Sequence, residues 1–179
     1  TGGSGRDTVD YTNAAGAVTV NLGAGTASDD GDGGTDTISG VEDIVGSANN
    51  DTLTGDAAAN FIDGGEGNDT IAGGAGADSF DGGNGNDTVD YSNAASNIII
   101  DLSTGNAVSD GDGFADTLTN IENVIGSDDD DIIRGDNGAN ILEGGAGADT
   151  LRGNGGSDTL DGGSGIDVVD YSVAAGAVT

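Results

Sequence analysis

From Gly46 to Asp90 the chain reads GSANNDTLT, GDAAANFID, GGEGNDTIA, GGAGADSFD, GGNGNDTVD, five units of nine residues without a gap. Each unit divides the same way. Its first six positions follow Gly-Gly-x-Gly-x-Asp in outline, with glycine where a tight turn needs positive φ and a close backbone approach. Positions seven to nine read as a short strand with an apolar residue in the middle: Leu53, Ile62, Ile71, Phe80 and Val89. Alternation along a strand sends that residue to one face and its neighbours to the other. No helical period competes with this pattern.

Working outward, a second run of five units fills residues 126–170, with Ile133, Leu142, Leu151, Leu160 and Val169 in the middle positions, and one more unit occupies residues 2–10. A longer period of eighty residues relates the copies: Gly2, Gly82 and Gly162 open equivalent units, and Tyr11, Tyr91 and Tyr171 follow their last Asp. The long repeat therefore spans 2–81, 82–161 and a partial 162–179, with intervening segments at 11–45 and 91–125. Such regularity predicts stacked modules, one elongated domain over residues 1–179. The stretch from Asp170 restarts the one at Asp10, and no secretion leader is visible at Thr1–Gly5, so the chain is expected to be a piece of a longer array.

One apolar residue in nine is too little for an ordinary core. Two units per coil, however, place successive strands on opposite sheets, their apolar residues stacked in a narrow interior. Units eighteen residues apart then pair side by side at about 4.8 Å. The expected fold is all-β, a two-sheet parallel β-roll or solenoid.

Composition narrows the chemistry. There are 33 Asp or Glu against three arginines and no lysine, a formal charge of −30. Nucleic acid and anionic membranes need basic residues and are excluded as partners; no membrane insertion is expected. Cysteine and histidine are absent, which disfavours zinc or copper sites, thiol nucleophiles and His-based triads. Hard cations that take oxygen ligands are favoured instead. An Asp at position six sits one rung from its counterpart eighteen residues on, and two carboxylates so placed repel unless a cation lies between them.

The nonapeptide runs resemble the repeats-in-toxin (RTX) family, whose repeat binds calcium between the turns of a β-helix. The resemblance covers essentially the whole chain. It implies that carbonyls of positions two and four and the Asp of one turn act with carbonyls of positions one and three and the Asp two turns on. One site would then use Gly65, Gly67 and Asp69 with Gly82, Asn84 and Asp87; its counterpart would use Gly145, Gly147 and Asp149 with Gly162, Ser164 and Asp167. Others would use Ser47, Asn49 and Asp51 with Gly64, Glu66 and Asp69, and Ser127, Asp129 and Asp131 with Gly144, Ala146 and Asp149. On the opposite edge Asp56, Ala58 and Asn60 would act with Gly73, Ala75 and Asp78, and Asp136, Gly138 and Asn140 with Gly153, Gly155 and Asp158. Asn60 and Asn140 carry no charge, so these two sites are expected to be weaker unless Asp56 and Asp136 compensate. The total is about six calcium ions or more.

The 35-residue segments depart from the motif. Val18 and Ile98 keep the spacing of nine from Val9 and Val89, so the roll is expected to continue through with one deletion. The long unit would then hold nine half-turns, an odd number, and its copies would fall on alternate faces. Asp30, Asp32 and Asp36 repeat at Asp110, Asp112 and Asp116, a spacing compatible with an extra loop cation or a solvated loop.

The resemblance further implies secretion: a bacterial extracellular protein, exported unfolded through a type I channel and folded by calcium outside. No catalytic site is expected, since the carboxylates recur with the repeat. An outward row of Thr52, Thr70 and Thr88 leaves open an ice- or polysaccharide-binding face, and a rigid adhesin spacer is the other alternative. The arginines and tyrosines are expected to tune surface charge and cap turns.

Overall fold

The computed structural model describes residues 1–172, so the restart of the long repeat over 173–179 lies outside the described residues. Every nonapeptide strand within the two runs is present, from Thr52–Thr54 to Val168–Val169. The middle residues Leu53, Ile62, Ile71, Phe80, Val89, Ile133, Leu142 and Leu151 are all fully buried. The column opens at its ends, with Val9 and Leu160 partly buried and Val169 exposed.

Two sheets enclose this column. One runs Thr8–Asp10, Asp43–Val45, Phe61–Asp63, Ser79–Asp81, Asp116–Thr119, Asn106–Ser109, Ile99–Asp101, Ile132–Arg134, Thr150–Arg152, Val168–Val169. The other runs Thr159–Asp161, Ile141–Glu143, Asn123–Ile125, Thr88–Asp90, Thr70–Ala72, Thr52–Thr54, Val18–Asn21, Thr26–Asp30, Asp36–Thr37. Units eighteen apart pair in parallel register, as Leu53 with Ile71, Ile62 with Phe80 and Leu142 with Leu160. The fold is an all-β parallel roll.

The intervening segments do not wind on as expected. Val18–Asn21 crosses to the opposite sheet, but Thr26–Asp30 and Asp36–Thr37 then add to that same sheet as an antiparallel meander. Ile99–Asp101, Asn106–Ser109 and Asp116–Thr119 do likewise in the next copy. Local turn chemistry explains the reversal. The Asn21 side chain accepts the Ala24 N–H at 2.7 Å, Gly25 takes φ 69°, and its N–H returns to Leu22 at 3.0 Å. A chain so reversed pairs with itself before it can reach the other sheet. The register moves with it: Val20 and Ile100, not Val18 and Ile98, stand opposite Leu53 and Ile133, although all four are buried.

Seven crossings, not nine, therefore separate Thr8–Asp10 from Thr88–Asp90, through strands beginning at Val18, Asp43, Thr52, Phe61, Thr70 and Ser79. Seven is still odd, and the copies do alternate: Thr8–Asp10 and Val168–Val169 share one sheet while Thr88–Asp90 lies in the other. The consequence is mechanical. Each meander adds two strands to one sheet only, and alternation puts successive meanders on opposite sheets, which end at 10 and 9 strands. An even count would load one side of the roll at every repeat.

The few cations pair along this frame. Arg6 bonds Asp43 at 2.7 Å, and the equivalent pair in the next copy is neutral, Asn123 Nδ2 donating to Asn86 Oδ1 at 2.7 Å. On one outer face Asp101, Arg134 and Arg152 stand in register, and Arg152 forms an ion pair with Asp170.

Candidate metal centres in the stacked turns

Each position-six residue clamps the rung before it. Asp69 Oδ1 accepts the Asp51 N–H at 2.7 Å, and Asp87 Oδ1 accepts that of Asp69 at 2.8 Å. The second run repeats this with Asp131 to Asp149 and Asp149 to Asp167, at 2.8 and 3.1 Å. On the other edge Asp78 and Asp158 accept from Asn60 and Asn140 at 2.8 and 3.1 Å. The structure thus stacks all six turn pairs expected from the sequence. Position-two carbonyls add bonds between turns: those of Ser47, Gly65, Ser127, Gly145 and Asp136 accept from Glu66, Asn84, Ala146, Ser164 and Gly155. Gly67 N–H returns to the Asn84 carbonyl at 3.0 Å.

The second carboxylate oxygen differs. Oδ2 of Asp69, Asp78, Asp87 and Asp149 is buried and has no hydrogen-bond partner. A buried anionic oxygen without a partner is costly. Burial pushes Asp69 and Asp78 up to about 7, and the charges of Asp51 and Asp87, or of Asp116 and Asp110, add to it against one backbone hydrogen bond each. Asp87, Asp131 and Asp149 are raised for the same first reason.

These oxygens face a shaped recess. A β-carbon on Gly64 would collide with Asp69 Oδ2 and lie 2.7 Å from the Gly82 carbonyl oxygen; on Gly144 it would meet Asp149 Oδ2 and the Gly162 oxygen in the same way. A carboxylate oxygen and the carbonyl of the next turn therefore converge on one point, which only a glycine leaves open. Gly65, Gly67, Gly145 and Gly147 take φ between 101° and 119°, which turns the peptide planes that border it. Among the described residues no three acidic side chains stand close enough to share an ion. A cation here would be held by two carboxylates and backbone carbonyls, the hard oxygen donors calcium takes at 2.3–2.6 Å. The residues fit that ion.

The turns are not equivalent. Asp51 and Asp131 open their runs with both oxygens engaged by Ser47 or Ser127 and by the N–H of Val18 or Ile98. Asn60 and Asn140 are satisfied by the protein alone: Nδ2 donates to the Glu42 or Glu122 carbonyl at 2.7 or 2.8 Å, and Oδ1 accepts from Asp56 or Asp136. The amide does across that rung what a cation would do. Asp56 and Asp136 cap their own turns through Ala58 and Gly138 N–H.

Three residues with position-six duties escaped the motif. Glu42 and Glu122 accept the Asp7 and Asp87 N–H at 3.0 and 2.8 Å, and Asp116 accepts that of Asp78 at 2.8 Å. Tyr91, expected to tune surface charge and cap a turn, is buried, and its hydroxyl donates to Asp116 Oδ2 at 2.8 Å. The signal for Asp116 was present: Asp116-Thr117-Leu118-Thr119 copies positions six to nine.

A family profile described as the RTX calcium-binding nonapeptide repeat matches four stretches of the chain, residues 39–71, 63–93, 120–151 and 134–169. No match was found among curated proteins. Among the described residues no helix is long and apolar enough to cross a membrane. With the parallel roll, the clamped turns and this match over more than half its length, the chain belongs to the RTX calcium-binding repeat family, a structural, non-catalytic module that binds calcium.

Proposed function

We propose that this chain is the calcium-dependent folding module of a secreted bacterial protein, exported unfolded by a type I system and folded outside the cell around about six ions. The observation that carries the reading is the set of buried, unpartnered Oδ2 atoms on Asp69, Asp78, Asp87 and Asp149. A fold that buries such charges needs a counter-ion, and the outside of a cell supplies calcium at the millimolar level where these modules bind. Equilibrium dialysis tests it by counting ions per chain. Asp69 belongs to two stacked pairs, so Asp69→Ala is expected to lose two ions and, at about 10 mM calcium with site constants near 1 mM, about 3 kcal/mol of stability. Asp128→Ala, which removes an exposed carboxylate that none of the six sites uses, is the control. An Asp69→Ala protein binding as many ions as the unaltered chain would refute this assignment.

A second reading has one observation in its favour. Thr19, Thr52, Thr70 and Thr88 stand in register across four neighbouring strands, a row of hydroxyls on the outer face. Such a row suits ice or a polysaccharide, and absence of both thermal hysteresis and glycan binding in the calcium-loaded chain would leave it as β-propensity alone.

A further inference from the structure

Asp78 has an unusual neighbour. Eighteen residues on, where the next turn would lie, is Ser96 in the intervening segment. The rung is supplied instead by Asp116, thirty-eight residues away, whose Oδ1 accepts the Asp78 N–H, while the Thr117 N–H returns to the Asp78 carbonyl at 3.0 Å. Both Asp116 oxygens are thereby used, the second by Tyr91. In the same loop Asp110 Oδ1 accepts three N–H groups, from Asp112, Gly113 and Phe114, at 2.9 to 3.0 Å. Its Oδ2 is buried and unpartnered, as is that of Asp78, and the two residues are 1 % and 3 % exposed. The charge of Asp110 acts on both Asp78 and Asp116. Among the described residues Arg6 and Arg152 pair with Asp43 and Asp170, and no cation forms an ion pair with Asp78, Asp110 or Asp116.

We propose a further calcium-type site between the Gly73–Asp78 turn and the Asp110–Asp116 loop, held by the free oxygens of Asp78 and Asp110, with Asp116 and Tyr91 as positioning residues. It rests on the calcium reading of the stacked turns but lies outside their nonapeptide pattern. The first copy supplies an internal comparison. There Asp30 makes the same kind of loop, accepting from Asp32 and Gly34, and the position equivalent to Asp78 falls before Thr1. Asp30 is half-buried, Asp36 is exposed, and Tyr11, Asp30, Asp32 and Asp36 line an open recess of about 250 Å³.

Terbium(III), which takes calcium's oxygen ligands and emits when a nearby tyrosine is excited, reports on this place directly. In the full chain carrying Tyr171→Phe, which removes an antenna beside the Asp149–Asp167 turns, the tyrosine-sensitised emission is expected to be lost on Tyr91→Phe, which removes no carboxylate, and retained on Tyr11→Phe. Asp110→Asn is expected to lose the emission and one calcium ion per chain by dialysis, and Asp30→Asn neither; circular dichroism in saturating calcium verifies that each variant folds. Emission that survives Tyr91→Phe, or a folded Asp110→Asn with the full ion count, overturns this site. In that case the ions still counted in the stacked turns leave the broader reading standing. A chain that binds no calcium at all overturns both.

Discussion

In a calcium chelator at neutral pH the chain is expected to give the circular dichroism of a coil, and to convert to β structure as calcium rises through about 0.1–1 mM. The apolar column contributes one buried side chain per strand, and a formal charge of −30 opposes any compact state. At about 10 mM calcium a site with a constant near 1 mM adds about 1.4 kcal/mol, and six add about 8, comparable to a whole domain's net stability. The transition should be cooperative, because Asp69 and Asp149 each clamp one rung through Oδ1 and offer Oδ2 to the next. Magnesium should not substitute, since it demands octahedral geometry and gives up water reluctantly. A β spectrum already complete in chelator and indifferent to calcium would mean that the column suffices alone.

The runs at 46–90 and 126–170 were legible because every local choice in them agrees: glycine for the turn, Asp after it, one apolar residue per strand. Their strands, their register and their opposition across two sheets follow from that pattern. The intervening segments were less legible for a physical reason. Val18–Asn21 has the alternation of any strand, and whether it continues the coil or folds back depends on Asn21 and Gly25, whose turn chemistry is not written in the nine-residue period. Parity survived because the meander removes two half-turns together.

In the turns, residue type proved less informative than what each side chain touches. Asp51 and Asp69 occupy the same motif position, yet one is sated by Ser47 and the other holds a free oxygen. Ser47 stands where glycine is usual, a substitution readable in the sequence once its hydroxyl is seen to cap the Asp. Glu122 could not be read this way, because it reaches the Asp87 N–H from a turn that carries no motif at all.

Without calcium, lowering the pH from 8 to about 5 is expected to increase β structure, the opposite of ordinary acid denaturation. Asp69 and Asp78 have folded-state pKa values of about 7 and Asp116 of about 6, all raised by burial from 3.8. A carboxyl raised on folding binds its proton more tightly in the folded chain. Its stabilisation is complete below the unfolded value and is lost as pH climbs through the folded one, so the window runs from about 4 to about 7. Within it each such group changes stability by at most about 1.4 kcal/mol per pH unit. Saturating calcium should reverse the sign. Protons and calcium compete for the same Oδ2 atoms, so the loaded fold weakens as pH falls. The β content of the chelator-treated chain and the urea midpoint of the calcium-loaded chain, each measured at pH 5, 6 and 7, would then slope in opposite directions. Slopes of the same sign would show that Asp69 and Asp78 do not hold the ion, for the proton and the cation could not then be exchanging at one oxygen.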